Sequence, residues 1–366
     1  MTRKKIAIVG TNGLPGRYGG WDQIMHHLVT HLGVKYKFAV YTSSYDADPD
    51  VVTYHGAELP IVNLRANGPQ SIPYDIVSMI LAAIRGSDAI LVFGISGCIF
   101  LPIMKMFKVK IILNPDGAEW KRGKFGYWAK KFLKFSEKIG IKYADVVVAD
   151  NKVIQDEILS MYGVKSRLIE YGGDHVENTD LTPLIAERYG IRNNSYAFKV
   201  CRIVPENNID LILNVFSQIS MKLVLVGNWN FSEYGVSLKE KYKACSNLLL
   251  LDPIYEQKSI DELRANCALY IHGHSVGGTN PSLVEAMNLR LCCVVYDATY
   301  NVETTENKAL YFHSANDLQS LLVDYENDRL DSELIRESLH EVAQRRYRWG
   351  IITSKYNGVL LDAIGE

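Results

Sequence analysis

Residues 268–296 run Ala268-Leu-Tyr-Ile-His272-Gly-His-Ser-Val-Gly277-Gly-Thr-Asn-Pro281-Ser-Leu-Val-Glu285-Ala-Met-Asn-Leu-Arg-Leu-Cys292-Cys-Val-Val-Tyr296. Two short β-rich apolar runs, Ala268–His272 and Cys292–Tyr296, enclose a glycine turn and a helix over Pro281–Asn288. Proline suits the first helical position because the N–H it lacks has no partner there in any case. Leu283, Met287 and Leu291 read as the core side of that helix. Strand, crossover helix and strand in so short a span belong to a parallel sheet, so the fold class is α/β.

The same alternation extends in both directions. Towards the N-terminus, Ile6–Val9, Phe38–Tyr41, Ala89–Phe93, Lys110–Leu113, Asp145–Ala149 and Arg167–Tyr171 read as strands, with a helix over Asp22–Leu32. Gly172-Gly173-Asp174 and a polar stretch then interrupt the apolar period until Tyr196. The pattern restarts with strands at Tyr196–Arg202, Lys222–Gly227 and Leu248–Leu251, and helices at Asn208–Gln218 and Ser259–Asn266. Two doubly wound units are expected, residues 1–173 and 174–345. The tail, Ser332–Ile364, reads helical, and residues 346–366 are expected to pack back on the first unit.

Composition supports ordinary globular packing. The 366 residues are 48% apolar and 22% charged, with 40 Lys plus Arg against 41 Asp plus Glu and a net charge of −1. That balance excludes global disorder and a polybasic nucleic-acid binder, while leaving room for a local basic face. None of the six cysteines forms a C-x-x-C pair, which reads as buried thiols in a reducing compartment. Ile6–Val9 is too short for the apolar region of a signal peptide. The longest uncharged run, Ala89–Met104, is broken by Gly94, Gly97 and Pro102 and falls short of the roughly 20 residues that span a bilayer. The expected location is cytoplasmic, with peripheral contact at the inner face of the membrane.

Between the first strand and its helix, Gly10-Thr-Asn-Gly13-Leu-Pro-Gly16-Arg-Tyr-Gly19-Gly20 places five glycines in eleven residues. Such a loop lets backbone approach a ligand, and the helix start behind it favours anions. The spacing is G-x-x-G-x-x-G rather than the dinucleotide G-x-G-x-x-G, and the second strand ends at Thr42-Ser43-Ser44 without an acid for a ribose. A dinucleotide site is therefore a minor alternative, and a merely flexible connection is another.

In the second unit, Gly277-Gly278 opens the backbone ahead of a helix that Thr279 or Asn280 can cap. Amide groups of Gly277, Gly278, Thr279, Asn280 and Ser282 around Pro281 are then aimed at an incoming phosphate. Glu285 lies one turn on, where it can accept the hydroxyls of a ribose; its plain alternative is an exposed helix acid. Arg202, at the end of the unit's first strand, is the cation for a diphosphate, with a surface salt bridge as the alternative.

These residues resemble a known family. The two units, the Gly19-Gly20 loop and Gly278-Thr-Asn-Pro-Ser-Leu-Val-Glu285-Ala-Met look like GT-B glycosyltransferases of family 4. More narrowly, Thr11-Asn-Gly-Leu-Pro-Gly-Arg-Tyr-Gly-Gly20, Asp116-Gly-Ala-Glu-Trp-Lys-Arg122 and His272-Gly-His-Ser-Val-Gly-Gly-Thr-Asn-Pro-Ser282 look like bacterial polysaccharide rhamnosyltransferases with a DUF1972-type N-terminal domain. The resemblance implies retaining transfer of a sugar from a nucleotide diphosphate sugar, such as dTDP-rhamnose, to a saccharide or lipid-linked acceptor. It implies hexosyltransferase chemistry without a metal or other cofactor, two domains facing a cleft, donor on the second and acceptor on the first. Glu285 matches the second of the family's two donor-site glutamates; Gly277 stands where the first would be, and Asn207 where many members carry a lysine. Where family members often place a histidine near the reacting carbon, this chain offers Asp116, with Glu119 close behind, as catalytic candidates. An Asx-turn role for Asp116 is the alternative.

Residues Lys124–Tyr143 separate, at about 100° per residue, into an arc of Trp128, Phe132, Phe135, Ile139 and Tyr143 and a neighbouring arc of Lys130, Lys131, Lys134, Lys138 and Lys142. The aromatic arc is expected in the core. The lysine row, Lys130, Lys134 and Lys138 above all, also suits anionic lipid headgroups, at up to ~1 kcal/mol each. His27 and His31, spaced i, i+4 beside His26, lack acidic or cysteine partners in their segment and read as ordinary surface or core histidines. The reading is thus a glycosyltransferase using a deoxyhexose donor. Its rivals are the same chemistry with a UDP-hexose and a sugar-nucleotide binder without turnover.

Overall fold

The computed structural model describes residues 3–16, 19–48, 50–117, 119–121, 123 and 125–365. Arg17 and Tyr18 of the glycine loop, and Ala118, Arg122 and Lys124 of the later motifs, lie outside them. The chain divides into two compact units, Met1–Tyr171 with Trp349–Glu366, and Gly172–Arg348.

The first unit is built on an eight-stranded sheet ordered Arg167–Leu168, Val146–Ala149, Lys110–Asn114, Ala89–Phe93, Lys5–Val9, Lys37–Val40, Ala57–Glu58 and Thr53–Tyr54. All neighbours are parallel except the last pair, an antiparallel edge. Ile6–Val9 and Ala89–Phe93 are buried throughout, as central strands covered on both faces must be. The final helix, Trp349–Ile364, belongs to this unit: Trp349 stacks on His27 with ring centroids 4.0 Å apart, and Lys355 pairs with the buried Glu170. The tail thus splits into two helices, Ser332–Arg346 and Trp349–Ile364, assigned to different units.

Two of the loop glycines answer to packing inside this unit. Gly10 (φ 88°) has no room for a Cβ, which would lie 2.0 Å from the Phe93 carbonyl oxygen. At Gly13 (φ 109°) a Cβ would lie 2.2 Å from Thr42 Oγ1.

The second unit has a six-stranded, wholly parallel sheet ordered Leu248–Leu251, Lys222–Val226, Tyr196–Val200, Leu269–His272, Cys293–Tyr296 and Leu310–Phe312. In chain order these strands run third, second, first, fourth, fifth, sixth, the doubly wound sequence whose direction reverses between first and fourth. One face packs Ala197, Leu223, Leu225, Leu269 and Ile271 against Ile212, Leu213 and Phe216 of helix Ile209–Phe216. The short helix Pro183–Tyr189 fills the stretch in which sequence periodicity is lost.

Candidate functional site

In open parallel sheets, ligands bind beyond the carboxyl ends of the strands where the winding reverses. In the second unit that point lies between Val200 and His272. The segments leaving those strands carry Arg202 and His272–Ser282, so the topology brings together residues some 70 positions apart that the sequence singled out.

Arg202 is exposed, two residues past its strand, and among the described residues its side chain makes no hydrogen bond or ion pair. The salt-bridge alternative does not hold there. Asn207, in the position of the family lysine, is buried; its Nδ2 donates to the Arg202 carbonyl at 2.7 Å, and its Oδ1 lies 2.9 Å from His274 Nδ1. Gly277 adopts φ 134°, and a Cβ there would lie 3.1 Å from His274 Nε2. Asn280 caps helix Pro281–Asn288, accepting the Ser282 N–H at 3.1 Å and the Ser282 hydroxyl at 2.8 Å, while Thr279 is buried. Among the described residues no hydrogen bond takes up the N–H of Gly277 or Gly278. These amides and the helix start make a place of positive potential.

Glu285 departs from the exposed-acid alternative: it is 8% exposed. Its Oε2 lies 2.5 Å from Arg264 Nη1 and its Oε1 3.4 Å from His175 Nε2. Burial acts against its charge, but the Arg264 guanidinium and His175 outweigh it and hold the carboxyl below the usual range. Sequence reasoning missed both partners. Arg264 follows Asp261 and Glu262 on helix Gln257–Ala265 and reads as a surface residue, and His175 follows the boundary turn.

In the first unit, Asp116 has φ 62°, a left-handed conformation that Asp tolerates better than most residues. Its N–H donates to Asn114 Oδ1 at 3.2 Å, so the Asx turn belongs to Asn114. Asn114 is itself buried beside Tyr356 of the last helix, its Nδ2 3.4 Å from the hydroxyl. Glu119 opens the short turn Glu119–Lys121. Trp120 Nε1 donates to the buried Glu137 at 3.1 Å, tying that turn to helix Tyr127–Tyr143. Gly19 (φ 141°) precedes Gly20, the first residue of helix Gly20–Leu32.

The aromatic arc of helix Tyr127–Tyr143 does not form core. Trp128 is 77% exposed and Phe135 53%, and the buried face is Leu133, Ser136, Glu137, Gly140 and Ile141. Gly140 lets the helix approach Cys98 and Leu113, where a Cβ would meet side-chain atoms at 2.9 Å. Glu137 is satisfied inside by Trp120 and by Tyr162, whose hydroxyl donates at 2.6 Å. Trp128 and Phe135 are therefore left outside while Phe132, Ile139 and Tyr143 are half-buried, and lysines lie beside the arc: Lys131 Nζ is 5.5 Å from the Trp128 ring centroid and Lys142 Nζ 5.5 Å from that of Tyr143. Exposed Ile103 and Met106, on and just after helix Leu101–Met104, lie in the segment packed next to it. No helix among the described residues is long and apolar enough to cross a membrane.

Comparison with known proteins adds the following. Residues 3–174 match the family described as Domain of unknown function (DUF1972), and residues 184–346 match Glycosyl transferases group 1. Among solved structures, the chain is similar to sucrose-phosphate synthase from Thermosynechococcus elongatus (16% identity, 98% of this chain and 99% of that one, TM-score 0.81). It is similar to a glycosyltransferase from Rickettsia africae (12% identity, 100% and 99%, TM-score 0.77) and to Anabaena Alr3699/HepE in complex with UDP-glucose (14% identity, 99% and 100%, TM-score 0.77). At such identities the likeness establishes the fold, GT-B, over the full chain. No curated protein sequence matches the chain.

Proposed function

We propose, for a chain that joins a DUF1972 domain to a glycosyl transferases group 1 domain and is thereby a group 1 glycosyltransferase, that it moves a hexosyl group with retention from a nucleoside-diphosphate sugar to a saccharide or lipid-linked acceptor in cell-surface polysaccharide synthesis. The donor read from the resemblance is a deoxyhexose nucleotide such as dTDP-rhamnose. The carrying observation is the capped helix start at Pro281, with unengaged Gly277 and Gly278 amides, standing with exposed Arg202 at the reversal point of the second sheet.

In this reading the Gly277–Ser282 segment and Arg202 bind the pyrophosphate and stabilise the charge that grows on it as the anomeric carbon–oxygen bond breaks. The acceptor oxygen forms the new bond and its proton passes to the departing diphosphate oxygen, and the nucleoside diphosphate leaves. Residues 174–345 form the donor part. Residues 1–173 form the acceptor part, and Gly19 and Gly20 contribute backbone to donor binding. Asp116 and Glu119 orient the acceptor hydroxyl or stabilise positive charge at the anomeric carbon. No divalent ion enters the reading, because helix amides and a guanidinium take that role.

The partner at the basic helix is an anionic membrane carrying the acceptor. Lys130, Lys134 and Lys138 supply attraction, and exposed Trp128 and Phe135 supply apolar surface beside them. In this reading the enzyme works peripherally on the cytoplasmic face. A UDP-hexose donor is the second reading, favoured by Glu285, whose two oxygens suit a ribose better than the single sugar hydroxyl of a thymidine nucleotide.

The test is a panel of nucleotide sugars followed by thermal shift and by donor consumption with added acceptor. Stabilisation with turnover supports the reading. Stabilisation without consumption under any acceptor supports a binder that does not turn over, and no stabilisation removes the donor site.

A further inference from the structure

Glu285 is held by more than the proposed ligand would require. Arg264, 3% exposed on helix Gln257–Ala265, reaches from the neighbouring helix to Glu285 Oε2 at 2.5 Å. Arg264 Nη1 also lies 3.8 Å from Oδ1 of Asp261, which is wholly buried. Asp261 is already satisfied: its Oδ1 accepts from Gln257 Nε2 at 2.9 Å and its Oδ2 from the Glu177 N–H at 3.1 Å. On the other side, His175 Nε2 stands 3.4 Å from Glu285 Oε1. Neither Nε nor Nη1 of the buried Arg264 has a hydrogen-bond partner among the described residues, so its hold on Glu285 is an ion-pair contact. A guanidinium buried with a donor left over is a poor stabilising device, since a well-packed apolar residue would cost less. What it does achieve is geometric: a planar cation fixes the plane and rotamer of the carboxylate it pairs with.

We propose that Arg264, assisted by His175, is a positioning residue that fixes the Glu285 carboxylate as an acceptor for the hydroxyls of the donor's nucleoside sugar. This rests on the donor-site reading above. With Oε2 in contact with Arg264 and Oε1 near His175, the carboxylate keeps lone pairs for a ligand, and 11% of the side chain is open to solvent. A freely rotating glutamate would spend most of its time in rotamers that present nothing there. The clamp therefore acts on discrimination between nucleotides with and without sugar hydroxyls, rather than on affinity for the pyrophosphate.

The experiment measures dissociation constants by calorimetry for whichever of uridine and thymidine diphosphate binds tighter. Each is compared with its analogue lacking sugar hydroxyls, 2′,3′-dideoxyuridine or 3′-deoxythymidine diphosphate. The parent is expected to prefer the hydroxylated ligand about tenfold or more, and Glu285→Gln to lose most of that preference. Arg264→Met should bring the ratio to within about twofold while binding of the deoxygenated analogue changes little, and Arg264→Lys should recover part of it. His175→Gln should lower the ratio by a smaller factor, and it serves as the reading should Arg264→Met fail to fold. If the parent shows no preference, or binds neither ligand, the donor-site reading falls and this inference with it. If the parent and Glu285→Gln behave as expected but the Arg264 and His175 variants keep the parental ratio, the clamp alone is refuted.

Discussion

Asn207 bridges two parts of the candidate donor site, with its Oδ1 2.9 Å from His274 Nδ1 and its Nδ2 2.7 Å from the Arg202 carbonyl. The carbonyl can only accept, so the amide orientation is fixed, and His274 must carry its proton on Nδ1. Asn207→Ala removes the bridge to His274 and one of the two hydrogen bonds on the Arg202 carbonyl, which keeps the Val204 N–H at 3.0 Å. A loss of about 1–3 kcal/mol in urea unfolding of the second unit is expected, together with weaker nucleoside-diphosphate binding. Unchanged stability would show that the bridge is incidental.

Gly277 stands where the family places a glutamate, and its φ of 134° is a conformation that side-chain-bearing residues rarely adopt. Gly277→Glu is therefore expected to lower the melting temperature and the donor affinity rather than restore a family contact, with strain on the order of 1–3 kcal/mol. A variant with parental stability and faster turnover would contradict the geometry of this turn.

Asp116→Asn keeps a residue type tolerant of left-handed backbone and removes the charge. Turnover should fall by about tenfold or more with donor affinity near the parental value. Equal loss in both, or no loss in either, would reduce Asp116 to a turn residue.

His272 is buried, and desolvation foremost, with Lys199 and His274 adding repulsion, holds its pKa well below 6.5. The unfolded chain takes up a proton near pH 6.5 that the folded chain refuses. Stability is therefore complete above that pH and declines as pH falls below it, with a slope approaching about 1.4 kcal/mol per pH unit from this group. His272→Gln should flatten that slope in unfolding measured from pH 7.5 to 5; an unaltered slope would assign it to other groups.

For the basic helix, two variants separate charge from insertion. The triple change Lys130→Glu, Lys134→Glu and Lys138→Glu should abolish sedimentation with anionic vesicles at low salt. Trp128→Ser with Phe135→Ser should weaken the salt-resistant part about tenfold. If both variants sediment like the parent, the membrane reading is removed.

What the sequence made legible follows physical rules. A central parallel strand such as Ala89–Phe93 is covered on both faces, so it stands out as an unbroken apolar run and is bounded as observed. The two-residue strands Thr42–Ser43 and Ile61–Val62 carry too few residues for a period to register. In helix Tyr127–Tyr143 periodicity revealed an aromatic arc but not which side faces inward, because the buried side uses Gly140 for close approach and a hydrogen-bonded Glu137. The turn before Pro281 was readable because capping and proline preferences are local. The Arg264–Glu285 contact was not, because it joins two helices through folding alone.

Hydrogen–deuterium exchange with and without a saturating nucleoside diphosphate tests the central claim most directly, because the claim concerns backbone N–H groups. The account predicts slowed exchange in the peptide spanning Gly277–Ser282, lessened in Arg202→Ala at the same ligand concentration. Ligand binding that leaves Gly277–Ser282 exchanging at its original rate would contradict it.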